Sequence, residues 1–389
     1  MTISALGGGL TPMETEYGSI QAVILAGGEG SRLRPLTKNR PKVLLPAANR
    51  PLLLHLLDSV VAAGIRDITV VVGYKSEQVL RVLAAYPIPI QTIVQKKQLG
   101  VINAVSTASR LLHADRILLL AGDNYLDTDS IRRLSSEKNA ILVSPSSMPA
   151  EYGVVKQKNG VLTAVLHHQT DAPAGTSISC GASIMERSLH DIILSCGGIE
   201  STADVYQYGI KVLEAGIWED ALTVPCLLRQ NMHLLGFMKA QIQGTVDKTT
   251  VIRGRVSIGK NTFIGPNTVI TGPAIIGDNC RIEADVCIGP GSSIGSQVTI
   301  EPFTYVQNSI LMNGCFVGAQ SRITDSVIGE GAVITQAVTA SVSGFGAAVG
   351  DRTTVGAFTQ LKGAVIGNNA ALDGGRIISG SIPDDARVI

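Results

Sequence analysis

The segment Leu25-Ala-Gly-Gly-Glu-Gly-Ser-Arg-Leu-Arg-Pro35, followed by Arg40-Pro-Lys-Val-Leu-Leu-Pro46, concentrates residue types that hold phosphates. Gly27, Gly28 and Gly30 let backbone N–H groups approach a phosphate with no Cβ in the way. Arg32 offers a fixed fork of donors and Lys42 a mobile point charge, a pairing suited to a triphosphate. A Gly-rich turn alone is usually only a turn. The spacing of Gly28, Arg32, Pro35 and Lys42 is more restrictive, and it fits neither the Walker phosphate loop nor the G-x-G-x-x-G dinucleotide pattern.

The elements that must position these residues alternate between strand and helix. Ile20–Leu25 reads as a buried strand entering the glycine turn, and Leu52–Ala63 has helical length with an apolar face. There follow a β-branched strand at Ile68–Val72, a helix at Ser76–Ala85 opened by a Ser cap, and a strand at Ile90–Val94. A helix at Val101–Leu112 and a buried strand at Ile117–Leu120 continue the series. The expected architecture is α/β: a Rossmann-like domain whose mostly parallel sheet is covered by helices. Ligands of such sheets bind beyond the carboxyl ends of the strands, where Gly27, Gly28 and Asp123 fall.

After about residue 250 the period changes. Ile252, Ile258, Ile264, Ile270, Ile276, Ile282, Ile288, Ile294, Ile300, Val306 and Met312 recur at steps of six. Gly follows the aliphatic residue in five of them. Six fits neither an α-helix nor an ordinary strand. It fits a prism-shaped coil, each hexad forming one flat side with its aliphatic residue inward. The phase slips near Gly318–Ile323 and resumes at Ile328, Ile334, Val349, Val355, Ile366 and Leu372. The sequence thus divides into a loose extension at 1–19 (Met13 is an alternative start), an α/β domain at 20–245 and a left-handed parallel β-helix at 246–389.

Composition narrows the functional classes. With 32 basic and 31 acidic side chains the chain has a net charge of +1, which gives no footprint for nucleic acid or an anionic membrane. No run reaches membrane-spanning length and no signal peptide is legible. The six cysteines lack metal spacing, so a reduced, cytoplasmic setting is expected.

The Gly28, Arg32, Pro35, Lys42 segment resembles the signature of the sugar-1-phosphate nucleotidylyltransferases, over Ile20 to about Asn231. The trailing β-helix is also similar to that of several members, among them the bifunctional N-acetylglucosamine-1-phosphate uridylyltransferase/glucosamine-1-phosphate acetyltransferases. The resemblance implies that Leu25, Ala26, Gly27, Gly28, Gly30, Arg32 and Lys42 hold a nucleoside triphosphate, UTP or dTTP by family similarity. Gln95-Lys-Lys-Gln-Leu-Gly100 resembles the stretch whose Gln and Gly border the base. Leu120-Ala-Gly-Asp-Asn124 and Trp218-Glu-Asp-Ala-Leu-Thr223 are similar to the motifs whose aspartates, here Asp123 and Asp220, ligate Mg²⁺. Tyr152, Gly153, Gly181 and Asp204 fall in stretches that border the sugar. The implied substrates are an NTP and a sugar 1-phosphate.

One departure is clear. Members usually carry Glu-Lys-Pro downstream of the Tyr-Gly motif, and here the region reads Val165-Leu-His-His-Gln-Thr170. His167 and His168 could replace part of the lost charge, with surface histidines the blander reading. In the bifunctional relatives a histidine of the β-helix acts as acetyl-transfer base. Here no histidine lies beyond His233, so the coil reads as scaffold, oligomerisation surface or effector platform. Two alternatives remain beside a single-function enzyme: an added acetyltransferase, or a non-catalytic paralogue that binds nucleotide. Stacked coils commonly associate, so a homo-oligomer is expected.

Overall fold

The computed structural model describes residues 14–15, 17–340 and 345–389. Most of the extension expected at 1–19, including both candidate starts, therefore lies outside the described residues. Contacts gather the chain into two compact units. One comprises residues up to Gly28 with Leu53–Trp218, and the other Glu29–Leu52 with Glu219–Ile389. Residues 29–52 and 219–245 thus group with the coil, although chain order places them in the α/β half.

The first unit is built on strands β1 (Gly18–Ala26), β2 (Ile68–Val72), β3 (Gln91–Val94) and β4 (Arg116–Ala121), with helices α1 (Leu52–Ala62), α2 (Ser76–Ala84) and α3 (Val101–Ala108) between them. Helix α4 (Thr128–Ser135) leads into β5 (Ala140–Ser146), the hairpin β6 (Val154–Lys158) and β7 (Val161–Leu166), then β8 (Thr176–Glu186). Helix α5 (Arg187–Ser195) and β9 (Lys211–Glu214) complete the unit. The sheet order is β6-β7-β9-β5-β8-β4-β1-β2-β3. Its β4-β1-β2-β3 half is parallel, in register from Ala22↔Ile68 and Ile20↔Arg116. Strand β8 runs antiparallel between β4 and β5. All five β2 residues are buried, as a continuous β-branched run between two covered faces requires.

One local expectation fails. Ser76 is the first helical residue of α2 rather than its cap; Lys75 precedes it in the left-handed region (φ 47) with no side-chain cap bond. The turn after β2 is closed instead by backbone, Ser76 N–H donating to Gly73 O at 3.1 Å.

The second unit is a three-sided parallel β-helix preceded by α6 (Val224–Phe237). Ile252, Ile258 and Ile264 pair with Ile270, Ile276 and Ile282, eighteen residues on, so three hexads make one coil. The pairing begins at Gln241–Ile242. Inward side chains form columns: Ile264, Ile282, Ile300 and Val317 are each 0% exposed. Each such burial contributes roughly 1.5–3 kcal/mol. Successive coils approach so closely at the glycines that a Cβ on Gly277 would sit 2.7 Å from the Gly295 carbonyl carbon.

The period slips earlier than the hexads suggest. Ile294 pairs with Leu311 and Ile300 with Val317, a spacing of seventeen, so Leu311 rather than Met312 points into the core column. From there one side in three holds five residues, until a longer coil between Ile328 and Val349.

Among the described residues no helix is long and apolar enough to cross a membrane. All six cysteines are free, and Cys196 is exposed. Burial pushes the Cys315 thiol up to about 12. Native protein at pH 8 should therefore react with a disulfide reagent first at Cys196. Mass mapping that finds Cys315 labelled before unfolding would contradict the closed core.

Candidate functional site

In the first unit the parallel strands all end on one edge. Gly27 and Gly28 follow β1, Gly73 follows β2, Gln95 follows β3 and Gly122-Asp123 follow β4. The glycines are needed for the approach of backbone to backbone. A Cβ on Gly73 would lie 2.7 Å from Gly27 O, and one on Gly122 lies 2.8 Å from Leu25 O, the acceptor of the Gly122 N–H at 2.9 Å. Gln95 is buried at 5% exposure and packs against Gly27, its Oε1 2.8 Å from where a Cβ would stand. Its amide donates to Asn103 Oδ1 at 2.9 Å and Gly100 O at 3.3 Å, which fixes its orientation. Gly28 differs: a Cβ there meets nothing within 4 Å. The edge thus presents Leu25, Ala26, Gly27, Gly28, Gln95, Gly100 and Asp123 together.

Beside Asp123, Asn124 donates to Cys180 O at 2.7 Å, and Trp218 Nε1 donates to the same oxygen at 3.1 Å. The register of β8 shifts between Ser179 and Ser183, and Gly181 takes φ +65 within that bulge. Tyr152 packs edge-on against Trp218, centroids 5.7 Å apart. Gly153 lies against His167, whose Cε1 is 3.2 Å from a Cβ position there.

A cavity of about 340 Å³ opens here, and Gly153, Gly181, His167 and Glu200 line it together with the apolar Val105 and Ile193. His167 is exposed as well as lining it. His190 also lines it; burial holds its pKa below the usual value, so the ring is neutral at pH 7. Asp204 is placed otherwise. It is exposed, in the left-handed region (φ 45) ahead of the turn Val205–Tyr208, while Glu200 of the same stretch faces the cavity. The Glu200-Ser-Thr-Ala-Asp204 stretch thus meets the cavity through Glu200, and His190 belongs to no motif. The apolar spacing of α5 gives His190 the look of a core residue.

The remaining signature residues belong to the second unit. Gly30 (φ 72) lies against Lys42, with 2.7 Å between a Cβ position and Lys42 Cβ, and Thr37 Oγ1 donates to Gly30 O at 2.8 Å. Arg32 is exposed on the short turn Ser31–Leu33. Asp220 is 4% exposed. Its neighbour Glu219 is bound by Arg229 at 2.6 Å and His233 at 2.7 Å.

The chain thus carries a glycine-lined edge on a parallel sheet and, in its second unit, a parallel β-helix. Residues 21–216, half of the chain, match the sequence family described as Nucleotidyl transferase, and residues 270–383 match that described as GMPPB C-terminal domain. The chain belongs to the nucleotidyl transferase family, within its sugar-1-phosphate nucleotidyltransferases. It is 30% identical over 279 residues to the glucose-1-phosphate thymidylyltransferase of Streptomyces antibioticus, covering 66% of this chain and 77% of that protein. The bifunctional protein GlmU of Methanococcus maripaludis is 30% identical over 325 residues, covering 80% and 74%. The low-salt glycan biosynthesis nucleotidyltransferase Agl11 of Haloferax volcanii is 28% identical over 365 residues, covering 88% and 100%.

Proposed function

We propose that the chain transfers the nucleotidyl group of UTP or dTTP to a sugar 1-phosphate, releasing pyrophosphate. The observation that carries the reading is the gathering of Gly27, Gly28, Gln95 and Asp123 on one parallel-strand edge, beside a cavity walled by Gly153 and Gly181. An oxygen of the sugar phosphate attacks the α-phosphorus. The bond to the bridging oxygen breaks, and its electron pair leaves with pyrophosphate. The nucleophile is already an anion, so the chain need supply no general base. Its task is to bring two anions together. Backbone N–H groups at Gly27 and Gly28, with Arg32 and Lys42, hold the triphosphate, and Gln95 and Gly100 border the base.

Asp123 and Asp220 are the carboxylates for Mg²⁺. Both offer hard oxygen donors, and Mg²⁺ takes one or two protein carboxylates and completes its shell with phosphate and water. No group of three or more His, Cys, Asp or Glu gathers as a metal cage among the described residues, and this cation needs none. When bound it would offset charge on the phosphates. Tyr152, Gly153, Gly181 and Asp204 remain the sugar-side candidates, with Glu200 and His167 added by their place in the cavity wall. Pyrophosphate release across UTP, dTTP, ATP and GTP with a set of sugar 1-phosphates tests the reading. Pyrimidine nucleotides should lead by about tenfold or more. A purine lead would overturn the base assignment, and release with none of them would favour the non-catalytic paralogue.

The coil is proposed to carry no acetyltransferase. Glucosamine 1-phosphate presents an ammonium that must lose a proton before attack, and base assistance is worth about 10²–10⁴-fold. The chain has no histidine beyond His233. With acetyl-CoA and glucosamine 1-phosphate, free thiol should stay at background. Release above about one turnover per second would restore the bifunctional alternative. Assembly through the coil, a trimer ahead of a dimer or tetramer, and a cytoplasmic setting complete the proposal. Light scattering that gives a monomer at micromolar concentration would remove the first of these.

A further inference from the structure

Within the second unit, the segment that carries Arg32 and Lys42 is docked on the flank of the coil. A polar ladder runs along one corner of the β-helix. Asp278 Oδ1 accepts the Lys260 N–H at 2.7 Å, Ser296 Oγ that of Asp278 at 3.1 Å, and Asn313 Oδ1 that of Ser296 at 2.9 Å. Further along, Asp351 Oδ1 accepts from Glu330 N–H at 2.9 Å, Asn368 Oδ1 from Asp351 N–H at 2.8 Å, and Asp384 Oδ1 from Asn368 N–H at 2.6 Å. Each rung spends one oxygen on the neighbouring coil. Asp351 and Asn368 each keep a second polar atom, and in both it reaches the segment 29–52.

Asp351 Oδ2 accepts from Arg40 Nη2 at 2.8 Å and from Asn39 Nδ2 at 3.1 Å. The ion pair is buried, with side chains 14% and 4% exposed, and Glu330 adds a second carboxylate to Arg40 at 3.0 Å. Asn368 Nδ2 donates to Pro35 O at 3.2 Å, and Lys38 pairs with Asp384. The far end of the segment is tied as well. Asn49 Nδ2 donates to Ile294 O at 2.5 Å, and the Ala48 N–H reaches Asn231 Oδ1 at 2.8 Å. That same oxygen accepts from Ser293 Oγ at 2.6 Å. Arg32 precedes Pro35 by three residues and Lys42 follows Arg40 by two, so both cations ride on backbone fixed from the coil.

We propose that the coil is a positioning device for the triphosphate-binding segment, with Asp351 and Arg40 as its central pair and Asn368 as the second anchor. A buried charge pair suits this task. Its two partners are costly to leave unpaired, so the segment has one preferred seat rather than several. The inference rests on the reading that Arg32 and Lys42 hold the NTP. A displacement of about 1 Å in such groups can cost about a hundredfold in rate.

The test compares Asp351→Asn, Arg40→Met and the double variant. Steady-state kinetics should show kcat/KM for the NTP falling by about tenfold to a hundredfold in each single variant, with KM for the sugar 1-phosphate unchanged. The double variant should be no worse than the singles, because the pair acts as one unit. Hydrogen exchange supplies the arm that does not depend on activity. Amides of residues 30–45 should exchange faster in each variant, while those of the columns around Ile282 and Ile300 keep wild-type protection. Unchanged exchange at 30–45 would overturn the clamp whatever the enzyme does. Faster exchange with kinetics untouched, or with both substrates affected alike, would overturn its role in NTP binding. Wild-type protein that releases no pyrophosphate would instead bring down the functional reading and leave the clamp to the exchange result.

Discussion

Asp123→Asn should lower turnover by roughly a hundredfold to a thousandfold while the thermal midpoint stays close to that of the parent. The substitution keeps the volume and one carbonyl oxygen at the end of β4, where Gly122 N–H is bonded to Leu25 O and Asn124 to Cys180 O. What it removes is the charge at residue 123. A divalent cation requires that charge, since a neutral amide oxygen replaces a carboxylate poorly as a ligand for Mg²⁺. Asp220→Asn should show the same direction of effect. Activity retained within about threefold in Asp123→Asn would remove this residue from the metal assignment.

Gly28→Val separates the phosphate role of the glycine turn from its structural role. An added Cβ at Gly28 meets no heavy atom within 4 Å, and its φ lies outside the left-handed region. The variant should fold with a midpoint within about 3 °C of the parent, as surface substitutions without a clash usually do. The space it fills is where a phosphate would approach the bare backbone. KM for the NTP should therefore rise by about a hundredfold, with KM for the sugar 1-phosphate little changed. Gly27→Val is the contrasting variant. There the Gln95 amide stands 2.8 Å from the new Cβ, so stability should fall together with activity. Normal NTP affinity in Gly28→Val would mean that the triphosphate does not lie along this turn.

Much of the first unit is legible because its strands are short, buried and apolar. The expected strand at Ile68–Val72 forms with those limits, and the expected Ile20–Leu25 forms within Gly18–Ala26. Such runs have few ways to bury both faces other than a parallel sheet. The glycines and Asp123 could be placed on the strand edge for the same reason. What stayed hidden depends on contacts between distant residues. Lys38 and Asn39 stand between the two quoted segments and Arg40 opens the second, but nothing local points to their partners, some three hundred residues away at Asp384 and Asp351. Gly181 gave no sign of the bulge it occupies, because a bulge is defined against the neighbouring strand. Met312 kept the six-residue step while Leu311 took the core position, since both are apolar and only the stacking of coils decides between them.

The central claim is that a sugar phosphate oxygen attacks the α-phosphorus of an NTP. Sugar 1-phosphate carrying ¹⁸O in its phosphate, incubated with unlabelled NTP and Mg²⁺, tests this directly by mass spectrometry of both products. The account predicts that all of the label appears in the nucleotide-sugar, including the oxygen bridging its two phosphorus atoms, and that pyrophosphate is unlabelled. Label in pyrophosphate, or consumption of NTP with no labelled nucleotide-sugar formed, would contradict it.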